Sequence, residues 1–580
     1  MVGYEIQSVP LSMPLWRRKV ERFLEANQLR LDDVDYYAIV TSPDGDEILA
    51  GGGLQGDIIK CIAVSEKLRD AHLSNRLISH LISEAAQRGH QSVKVFTKPQ
   101  NRQVFESLGF RLVGEAPLAI LMENGHGIEK YTSYLRSISL SSLLSPLSSK
   151  TTGVIVMNAN PFTLGHRYLI EQTAQQVDRL FVIPVKEDRS LFPYSERKAM
   201  IEAACKEFPN VKVCEGSDYA ISAATFPTYF LKQLSDAADT QMLLDIDLFR
   251  RHIAPALGEN ASVIRFVGSE PTDVLTQRYN ELLQQQLPCV RVIEREQNDG
   301  TPVSASLVRK ALQEGCFADA AALVLPTTIP YLLAHLACDA LRQELDLTPK
   351  PGLVDRHDNG AHTDMTHALM VRSIEALRPY FVQLAQAGQQ GKTDYMTIST
   401  IGKAAEKAML AATGGVNTHR GALFALGLAV VAQGNKVTKK QSNIQQTIAS
   451  LAQTFPDTKG THGSAVVSQY QAKGALAMGR TGYEQLFNDW LPYYRGERRE
   501  ERGKIKTLLR IMMSLDDTNV FHRKGPDVAR KIKTDAADLL THFSEDKLQQ
   551  LNEEYNQQGI SPGGCADMLA LTFFVNIITK

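Results

Sequence analysis

Apolar and polar positions recur with different periods in successive stretches of the chain. Ile58–Val64 is a short apolar run typical of a buried strand, Leu73–Arg88 has the amphipathic period of a helix, and Ser92–Phe96 predicts another strand. Further on, the apolar run Gly153–Met157 predicts a central parallel strand, which a polar loop joins to an amphipathic helix ending near Gln176. The pattern therefore predicts α/β structure in both segments.

From Ile329 onward the apolar residues recur at helical spacing, in long Ala- and Leu-rich segments joined by polar, Gly-containing loops. Two stretches interrupt the regular patterns: the Ser-rich segment Ser137–Thr152, which we interpret as a linker, and Leu325–Pro330. A chain of 580 residues is also too long for one hydrophobic core. We therefore predict three domains, 1–145, 146–325 and 326–580, the first two α/β and the third all-helical.

Composition narrows the class of partner. Hydrophobic residues at 43% and charged residues at 22% are typical of a folded globular enzyme, and a formal net charge of −1 gives no overall attraction to nucleic acid or anionic lipid. The sequence has no run of the roughly 20 apolar residues that cross a bilayer. We expect a cytoplasmic protein with small-molecule substrates, and neither nucleic acid nor membrane as a partner. Seven widely spaced cysteines without a C-x-x-C pair argue against a zinc or disulfide framework.

The loop after Gly153–Met157 carries candidate nucleotide-binding groups. At a helix start, free N–H groups and the helix dipole favour a phosphate, Gly165 gives it access and His166 can donate a hydrogen bond to it. About 140 residues later a second predicted helix opens with two hydroxyls and a cation, which form the second half of a phosphate clamp. The candidates in and around the two helix starts are Asn160, Phe162, Thr163, Gly165, His166, Ser304, Ser306 and Arg309.

Thr163-x-x-His166 and Val303-Ser304-x-Ser306-x-x-Arg309 resemble the paired motifs of the nucleotidyltransferase superfamily, which implies a Rossmann-like domain. In that superfamily the histidine and the distal cation stabilise charge on the departing pyrophosphate, usually with Mg²⁺. The loop around Gly268 resembles the segment that meets adenosine. Arg197 and Lys198, at another predicted helix start, could reach phosphates, although a solvated pair is an equal alternative.

With their flanks, NANPFTLGHRYLIEQ and VKEDRSLFPYSERKAMI, these motifs resemble the citrate lyase ligase family over nearly all of residues 1–325. The resemblance implies that ATP converts acetate to acetyl adenylate, with pyrophosphate and then AMP released. The acetyl group then acylates the thiol of the prosthetic group on the acyl carrier protein subunit of citrate lyase. Acetate and the carrier protein come from the resemblance alone.

The first segment resembles the GCN5-related acetyltransferase (GNAT) fold, whose closing signature is echoed in Asn101-x-x-x-Phe105-Glu106-x-Leu108-Gly109-Phe110. That family binds the pyrophosphate of acetyl-CoA on a glycine-rich loop at a helix start. Here the corresponding loop is Arg69-Asp-Ala-His72-Leu-Ser74, in which both glycines are replaced. Two interpretations stay open: an active acetyltransferase, and a module that has lost CoA binding. We favour the second.

Five polar clusters mark the loops of the helical segment: residues 350–355, 362–367, 414–421, 516–520 and 561–567. Asp364 and His367, three apart, are predicted to share one face of the following helix. The strings TPKPGLVD, GAHTDM, GGVNTHRGALF, DTNV and SPGGCADMLA resemble the triphosphoribosyl-dephospho-CoA synthase family. The resemblance implies that the 2′-hydroxyl of dephospho-CoA attacks C1′ of the ATP ribose and that adenine leaves.

That displacement needs phosphate contacts, proton transfer and Mg²⁺ on the triphosphate. Lys350 and Arg420 are candidate phosphate contacts, and His362 and His419 are candidate proton donors or phosphate contacts. Asp355, Asp364 and Asp516 are candidate metal or base groups, with Asp364 and Asp516 as the metal ligands. One departure is that the family's G-A-R-G-E stretch reads here as Gln471-Ala-Lys-Gly-Ala475, without the carboxylate.

The sequence therefore predicts a bifunctional, ATP- and Mg²⁺-using enzyme that serves citrate lyase, with a GNAT-like domain, a nucleotidyltransferase domain and an all-α synthase-like domain. Its expected partners are ATP, acetate, dephospho-CoA and the acyl carrier protein. Two alternatives stay open. One is a different nucleotidyltransferase with a helical appendage, and the other gives one or both outer domains only a docking role.

Overall fold

The computed structural model describes residues 5–42, 44–65, 71–141, 151–220, 226–231, 235–258, 263–269, 273–295, 297–298, 301–439, 443–457, 474–497 and 500–580. The chain divides into two compact units, Met1–Val303 and Ser304–Lys580. The first unit contains mixed and parallel sheets with helices, and the described part of the second is helical. The expectation of α/β structure followed by a helical C-terminal region is confirmed, whereas the domain limits at 145 and 325 stay predictions.

Seven strands of the first unit form one sheet: β1 (Ile6–Ser8), β2 (Tyr36–Thr41), β3 (Ile48–Gln55), β4 (Ile58–Val64), β5 (Val93–Thr97), β6 (Arg111–Glu115) and β7 (Ile120–Asn124). Their order is β1-β2-β3-β4-β5-β7-β6, and only the pair β4 and β5 is parallel. The accompanying helices are α1 (Pro14–Ala26), α2 (Ala71–Gln87), α3 (Arg102–Ser107) and α4 (Gly127–Ser141). The predicted strand–helix–strand pattern of this segment is confirmed as β4, α2 and β5.

Both faces of this sheet are covered. Leu77 and Leu81 of α2 pack on one face. On the other face, Leu24 of α1 shares a core cluster with Leu244 and Leu248, which come from a helix of the following segment. Burial of large apolar side chains stabilises such a layer by about 25 cal/mol per Å². The first two predicted segments therefore share a hydrophobic core within one unit.

A second sheet of the first unit is parallel. Its elements in chain order are β8 (Thr152–Met157), α5 (Leu164–Ala174), β9 (Arg179–Pro184), α6 (Tyr194–Cys205), β10 (Val211–Val213), α7 (Ser235–Leu248), α8 (Ala254–Leu257), β11 (Val263–Gly268), α9 (Val274–Gln286) and β12 (Val290–Ile293). The strand order is β10-β9-β8-β11-β12, with every pair parallel. The order reverses between β8 and β11, and the carboxyl ends of strands at such a reversal form the crevice where α/β sheets bind ligands.

The second unit consists of helices in its described part. They are α10 (Ala305–Gln313), α11 (Phe317–Ala322), α12 (Ile329–Leu345), α13 (His367–Gln389), α14 (Tyr395–Ala412), α15 (Arg420–Thr438), α16 (Ile444–Gln453), α17 (Ala475–Arg480), α18 (Leu491–Gly496), α19 (Glu501–Ser514), α20 (Thr518–Thr541), α21 (Glu545–Gln558) and α22 (Gly563–Ile578). Helices α12, α13, α15 and α22 supply most of the core, and α15 is buried over most of its length. A helix that is apolar on all sides belongs in the middle of a bundle.

Two details differ from the sequence-based expectations. The predicted linker Ser137–Thr152 is partly regular, since residues 137–141 end α4 and Thr152 begins β8, while residues 142–150 lie outside the described part. Helix α13 begins at His367 with Thr366 as its N-cap, so Asp364 precedes the helix and the prediction that Asp364 and His367 share a helix face is wrong. No helix among the described residues has the length and apolar character needed to cross a bilayer.

Candidate functional site

The loop from β8 to α5 places Thr163 and His166 against each other. Thr163 is the N-cap of α5, and its hydroxyl oxygen accepts a hydrogen bond from the backbone N–H of His166 at 3.3 Å. In return, the backbone N–H of Thr163 donates to Nδ1 of His166 at 3.0 Å. This reciprocal arrangement is a capping box in which histidine takes the place of the usual glutamate or glutamine.

The capping box determines the tautomer of His166. Because Nδ1 accepts from a backbone N–H, the proton of the neutral ring is on Nε2, which is therefore a donor. Desolvation and then the charge of Arg295 lower the pKa of His166 to about 4, so the ring is neutral near pH 7. The residue keeps part of its surface accessible, and its ring lies over buried Phe162 with centroids 5.4 Å apart. A neutral, oriented N–H donor at a helix start suits a phosphate oxygen.

Arg197 holds the surrounding loops together. Its guanidinium is fully buried and donates to the backbone oxygens of Phe192 at 3.0 Å and Val185 at 3.0 Å. It also donates to Asn158, at the carboxyl end of β8, at 2.8 Å to the carbonyl and 2.7 Å to the side chain. Desolvation lowers its pKa. The interpretation of Arg197 as a solvated side chain is therefore wrong, and its role as a phosphate contact stays a prediction.

The neighbouring Lys198 is paired with Glu215 at 2.6 Å and Glu202 at 3.2 Å. Asn160 accepts a hydrogen bond from the backbone N–H of Phe192 at 3.2 Å, so it ties the nucleotide loop to the loop before α6. Lys198 and Asn160 therefore contact other residues of the protein, in addition to their predicted roles in ligand binding.

Two glycines predicted at the site have different surroundings. A Cβ on Gly165 would lie 2.7 Å from the carbonyl oxygen of Val303, so the close approach of a backbone requires glycine there. Gly268 ends β11, next to β8 at the reversal of strand order, and a Cβ there would meet open space. His166 and Gly268 thus follow the two strands that flank the predicted crevice.

The second half of the predicted phosphate clamp begins the second unit. Ser304 is the N-cap of α10 and accepts from the backbone N–H of Leu307 at 3.3 Å. Arg309 donates to the hydroxyl of Ser306 at 3.1 Å, and desolvation lowers its pKa. The sequence therefore does form the predicted helix start, and the phosphate-binding role of Ser304, Ser306 and Arg309 stays a prediction.

In the helical unit, Lys350 is buried in an ion pair. Its ammonium lies 2.5 Å from Oε1 of Glu344 and 2.7 Å from the carbonyl oxygen of the same residue. His419 is also buried; its Nδ1 lies 2.8 Å from the hydroxyl of Ser373, and its Nε2 has no hydrogen-bond partner among the described residues. Desolvation and then the charge of Lys350 lower the pKa of His419 to about 3. His419 is thus a neutral ring beside a buried ion pair.

Two carboxylates join the starts of three helices. Asp517 caps α20 through the N–H groups of Asn519 and Val520, and its second oxygen accepts from Gly564 and Cys565 at the start of α22. Asp567 accepts from the backbone N–H of Ala422, near the start of α15. Desolvation raises the pKa of both carboxyls, and Asp517 raises that of Asp567 further.

The loop that contains Asp355 is pinned by internal contacts. One oxygen of Asp355 accepts from the backbone N–H groups of His357 and Asp358, and its other oxygen is buried without a hydrogen-bond partner in the described part. Nε2 of His362 lies 2.8 Å from the hydroxyl of Ser561, which joins this loop to the start of α22. Desolvation lowers the pKa of His362.

Asp364, Arg420 and Asp516, by contrast, are at the surface. The side chain of Asp364 is 61% exposed and Arg420 is ion-paired with Glu406. Asp516 lies 2.5 Å from the ammonium of Lys533. The described residues contain no group of three or more His, Cys, Asp or Glu side chains that could hold a metal ion. The structure thus groups Lys350 and His419, and leaves the two predicted metal ligands outside that group.

The predictions from the sequence do not include Glu344, Tyr483 or Asp567, although Asp567 lies within the string SPGGCADMLA. The hydroxyl of Tyr483 is buried and the charge of Asp567 acts on it. A buried carboxylate in an apolar helix is a signal for Glu344, whereas Tyr483 has no local signal. The departure at Gln471–Ala475 falls mostly outside the described residues, as does the Arg69–Ser74 loop up to Asp70.

Two family models match the chain. The citrate lyase ligase C-terminal domain matches residues 152–332, and the ATP:dephospho-CoA triphosphoribosyl transferase model matches residues 330–580. Among individual proteins, the [Citrate [pro-3S]-lyase] ligase of Haemophilus influenzae is 40% identical over 324 residues, which are 54% of this chain and 94% of that protein. The enzyme of the same name from Klebsiella pneumoniae is 38% identical, over 55% of this chain and 92% of that protein.

A third relative matches in the other family. The Stutzerimonas stutzeri protein named "Probable 2-(5''-triphosphoribosyl)-3'-dephosphocoenzyme-A synthase" is 36% identical over 265 residues. The match covers 43% of this chain and 91% of that protein. Each half of the chain therefore resembles an almost complete separate protein.

Proposed function

The chain belongs to the citrate lyase ligase family and to the triphosphoribosyl-dephospho-CoA synthase family, and on that premise we propose that it is a bifunctional enzyme of citrate lyase maturation. One activity makes 2′-(5″-triphosphoribosyl)-3′-dephospho-CoA from ATP and dephospho-CoA, with adenine released. The other uses ATP and acetate to acetylate the finished prosthetic group on the acyl carrier protein through acetyl adenylate.

The observation that carries the ligase assignment is the oriented Nε2–H of His166. Attack of acetate on the α-phosphate of ATP builds negative charge on the departing pyrophosphate. A neutral imidazole with Nδ1 held by the Thr163 backbone donates to that charge without rotating. The reversal of strand order between β8 and β11 supports the same location, because it opens a crevice at the loop that carries His166.

The synthase activity is proposed for the second unit, whose family match covers residues 330–580. The triphosphate needs cationic contacts, for which exposed Arg420 is the better placed candidate, because Lys350 is buried with Glu344. His419, Asp517 and Asp567 lie at or near the starts of three helices, which the two carboxylates join. Together they provide a polar interior in an otherwise apolar bundle.

Mg²⁺ is the expected companion of ATP in both reactions. This cation is held in many proteins by only one or two carboxylates, while phosphate oxygens and water complete its octahedron. Asp364 fits this use, because its carboxylate is 61% exposed, whereas the carboxylate of Asp516 is paired with Lys533. When bound, Mg²⁺ would neutralise triphosphate charge, and Asp364 would orient it.

For the first segment we propose an acetyltransferase-like fold without acetyl-CoA binding. The parallel pair β4 and β5 within an otherwise antiparallel sheet supports the fold. The replaced loop glycines support the loss of CoA binding, since bulky residues keep a pyrophosphate from the backbone N–H groups. Docking of the acyl carrier protein is the alternative use of such a module.

The test is a product assay on the full-length chain. Pyrophosphate is measured by a coupled assay with ATP, Mg²⁺ and acetate, and other carboxylates and phosphorylated alcohols serve as the comparison panel. Adenine is measured by chromatography with ATP, Mg²⁺ and dephospho-CoA. We expect pyrophosphate to depend on acetate and adenine to depend on dephospho-CoA. Pyrophosphate formation with another acceptor, or no adenine, would contradict the corresponding half of the proposal.

A further inference from the structure

Six polar side chains of the second unit form a group that we call the carboxylate cluster: Glu344, Lys350, His419, Tyr483, Asp517 and Asp567. They come from five separate segments of the chain. Five of them are closed off from solvent, with exposed fractions of 1–5%, whereas Asp567 is partly exposed. Asp567 is therefore the member of the cluster that a substrate can reach.

The start of α15 determines the position of the Asp567 carboxyl. The backbone N–H of Ala422 donates to it, and a Cβ on Gly421 would overlap its Oδ2. The Asp567 carboxyl can thus lie against the backbone of α15 because residue 421 has no side chain. The first turn of α15 and the Asp567 side chain on α22 are therefore closely packed against each other.

Two buried polar atoms of the cluster lack hydrogen-bond partners among the described residues: the hydroxyl of Tyr483 and Nε2 of His419. The charge of Asp567 acts on Tyr483, and that of Lys350 acts on His419, so both atoms belong to the same polar interior. An unsatisfied buried polar group costs about 1–3 kcal/mol. Such groups need an explanation, of which a catalytic role of the surrounding site is one.

The other charged side chains of the cluster already have partners. Lys350 is paired with Glu344, and Asp517 accepts four backbone N–H groups. Desolvation and the charges of Asp517 and Glu344 raise the pKa of Asp567 well above its ordinary value, against the opposing effect of the Ala422 N–H. The carboxyl of Asp567 thus keeps its proton at a higher pH than an exposed aspartate does.

Within the proposed synthase activity, we propose that Asp567 is the catalytic acid that donates a proton to the departing adenine. The carboxyl of a partly exposed residue, held against the start of α15 and surrounded by closed polar groups, meets the geometric requirement for that role. Asp517 and Gly421 act through it as positioning residues. The inference rests on the proposed function of the second unit and names a residue for it.

The 2′-oxygen of dephospho-CoA forms a bond to C1′ of the ATP ribose, and the bond from C1′ to N9 of adenine breaks with its electron pair on the base. The carboxyl proton of Asp567 moves to a ring nitrogen of the leaving adenine. The 2′-hydroxyl proton goes to water, and water returns a proton to Asp567.

The first experiment compares wild type, Asp567→Asn and Asp538→Asn as full-length proteins. Asparagine keeps the shape of the side chain and an acceptor for Ala422, but it has no acidic proton. We expect Asp567→Asn to lower kcat for adenine release by at least about 10²-fold, a usual contribution of general acid catalysis. Asp538→Asn should stay within about twofold of wild type, because that side chain is 64% exposed and its pair with His542 lies at the surface. A wild-type rate for Asp567→Asn would overturn the inference.

A second substrate distinguishes an acid from a purely structural residue. In 7-methyladenosine triphosphate the base already carries a positive charge, so it leaves without taking up a proton. We expect Asp567→Asn to come within about tenfold of wild type on this substrate, since only the contribution of general acid catalysis is absent. Equal loss on ATP and on the methylated substrate would overturn the catalytic role.

The pH profile gives an independent readout. A catalytic acid must be protonated, so wild-type kcat/KM should fall as pH rises through the raised pKa of Asp567. Asp567→Asn should lack that decrease. Ionisation of a carboxyl with a raised pKa destabilises the folded state. At pH 8, Asp567→Asn should therefore be at least as stable as wild type. A high-pH decrease of equal size in the variant would contradict the assignment.

Gly421→Ala tests the same carboxyl without changing it. Its methyl group would occupy the place of Asp567 Oδ2, so adenine release should fall while acetate-dependent pyrophosphate formation, a reporter of the first unit, is retained. Gly402→Ala in α14 is the matched control, because a Cβ there meets open space. If wild type releases no adenine, the proposed function fails together with the inference. If wild type releases adenine and the Asp567 and Gly421 variants release it at the same rate, the inference fails and the proposed function stands.

Discussion

The chain contains two polar sites built on helix starts, and they are assembled in different ways. In the first unit, the start of α5 is capped by residues three apart in sequence, Thr163 and His166. In the second unit, Asp517 caps α20 and also binds the start of α22, and Asp567 of α22 binds the start of α15. A local cap leaves the histidine donor directed toward a ligand. A distant carboxylate instead makes the helix start part of the protein core.

The difference predicts which site tolerates substitution. Removing a side chain from a locally built site removes one interaction and leaves the fold, because the helix keeps its own hydrogen bonds. Removing a member of the carboxylate cluster leaves a buried partner unsatisfied, which costs the full desolvation energy of that partner. The second site should therefore lose more stability on substitution than the first.

The largest effect is expected for Lys350→Met. The variant leaves Glu344 as an unpaired buried carboxylate, and breaking a buried pair in this way costs about 3–5 kcal/mol. Denaturant unfolding of the full chain measures the change. The double variant Glu344→Met with Lys350→Met removes both charges and should recover most of the stability; equal loss in single and double variants would contradict the pair as the cause.

His166→Ala should lower acetate-dependent pyrophosphate formation by about 10²-fold or more, because a donor to developing phosphate charge is lost. Adenine release by the same variant should stay at the wild-type rate, and its free energy of unfolding should fall by about 1 kcal/mol, the usual value of a helix cap. Both products are measured in one preparation. Wild-type pyrophosphate formation would exclude His166 from the phosphate site, and loss of both products would show that the two sites depend on each other.

Gly165→Ala should destabilise the first unit by about 1–3 kcal/mol, the usual cost of overpacking, because its Cβ would lie 2.7 Å from the Val303 carbonyl. Pyrophosphate formation should fall with it, since the start of α5 must shift. Gly402→Ala, in open space within α14, should instead keep or slightly raise stability. Similar behaviour of the two variants in unfolding experiments would contradict the close approach.

Acid should destabilise both units through their buried histidines. The pKa values of His166 and His419 in the folded chain, about 4 and about 3, lie below the ordinary value of 6.5, so the unfolded state binds more protons below pH 6.5. Stability is therefore lost as pH falls, by about 1 kcal/mol per histidine between pH 6.5 and pH 5.5. His419→Gln should flatten this dependence in unfolding curves at pH 5.5 and 7.5, and an unchanged slope would contradict the burial of a neutral ring.

The smallest effect is expected for Asp516→Asn. Its exposed pair with Lys533 should contribute at most about 1 kcal/mol to stability. The Mg²⁺ dependence of adenine release should also stay as in wild type, whereas Asp364→Asn should need more Mg²⁺ for half-maximal rate. A shift in the Mg²⁺ requirement of Asp516→Asn would support the prediction that Asp516 is a metal ligand.

The sequence alone determined what depends on neighbours along the chain. The apolar runs that became β4 and β8, the helical period beyond Ile329 and the start of α5 could all be predicted, because strand, helix and cap preferences act over a few residues. Thr163-x-x-His166 could be recognised for the same reason. Its two residues are one helical turn apart and need no other part of the fold to meet.

Only the tertiary structure decided which polar residues of the helical unit are enclosed together. Asp516 and Asp517 are adjacent and alike in sequence, yet one is paired with Lys533 at the surface and the other joins two helix starts in the interior. Lys350 is of a residue type that often binds phosphate, but its ammonium forms an ion pair with Glu344 on α12. Asp567 meets Gly421 from almost 150 positions away. Such pairings depend on how whole helices pack, and no local period of the sequence records that packing.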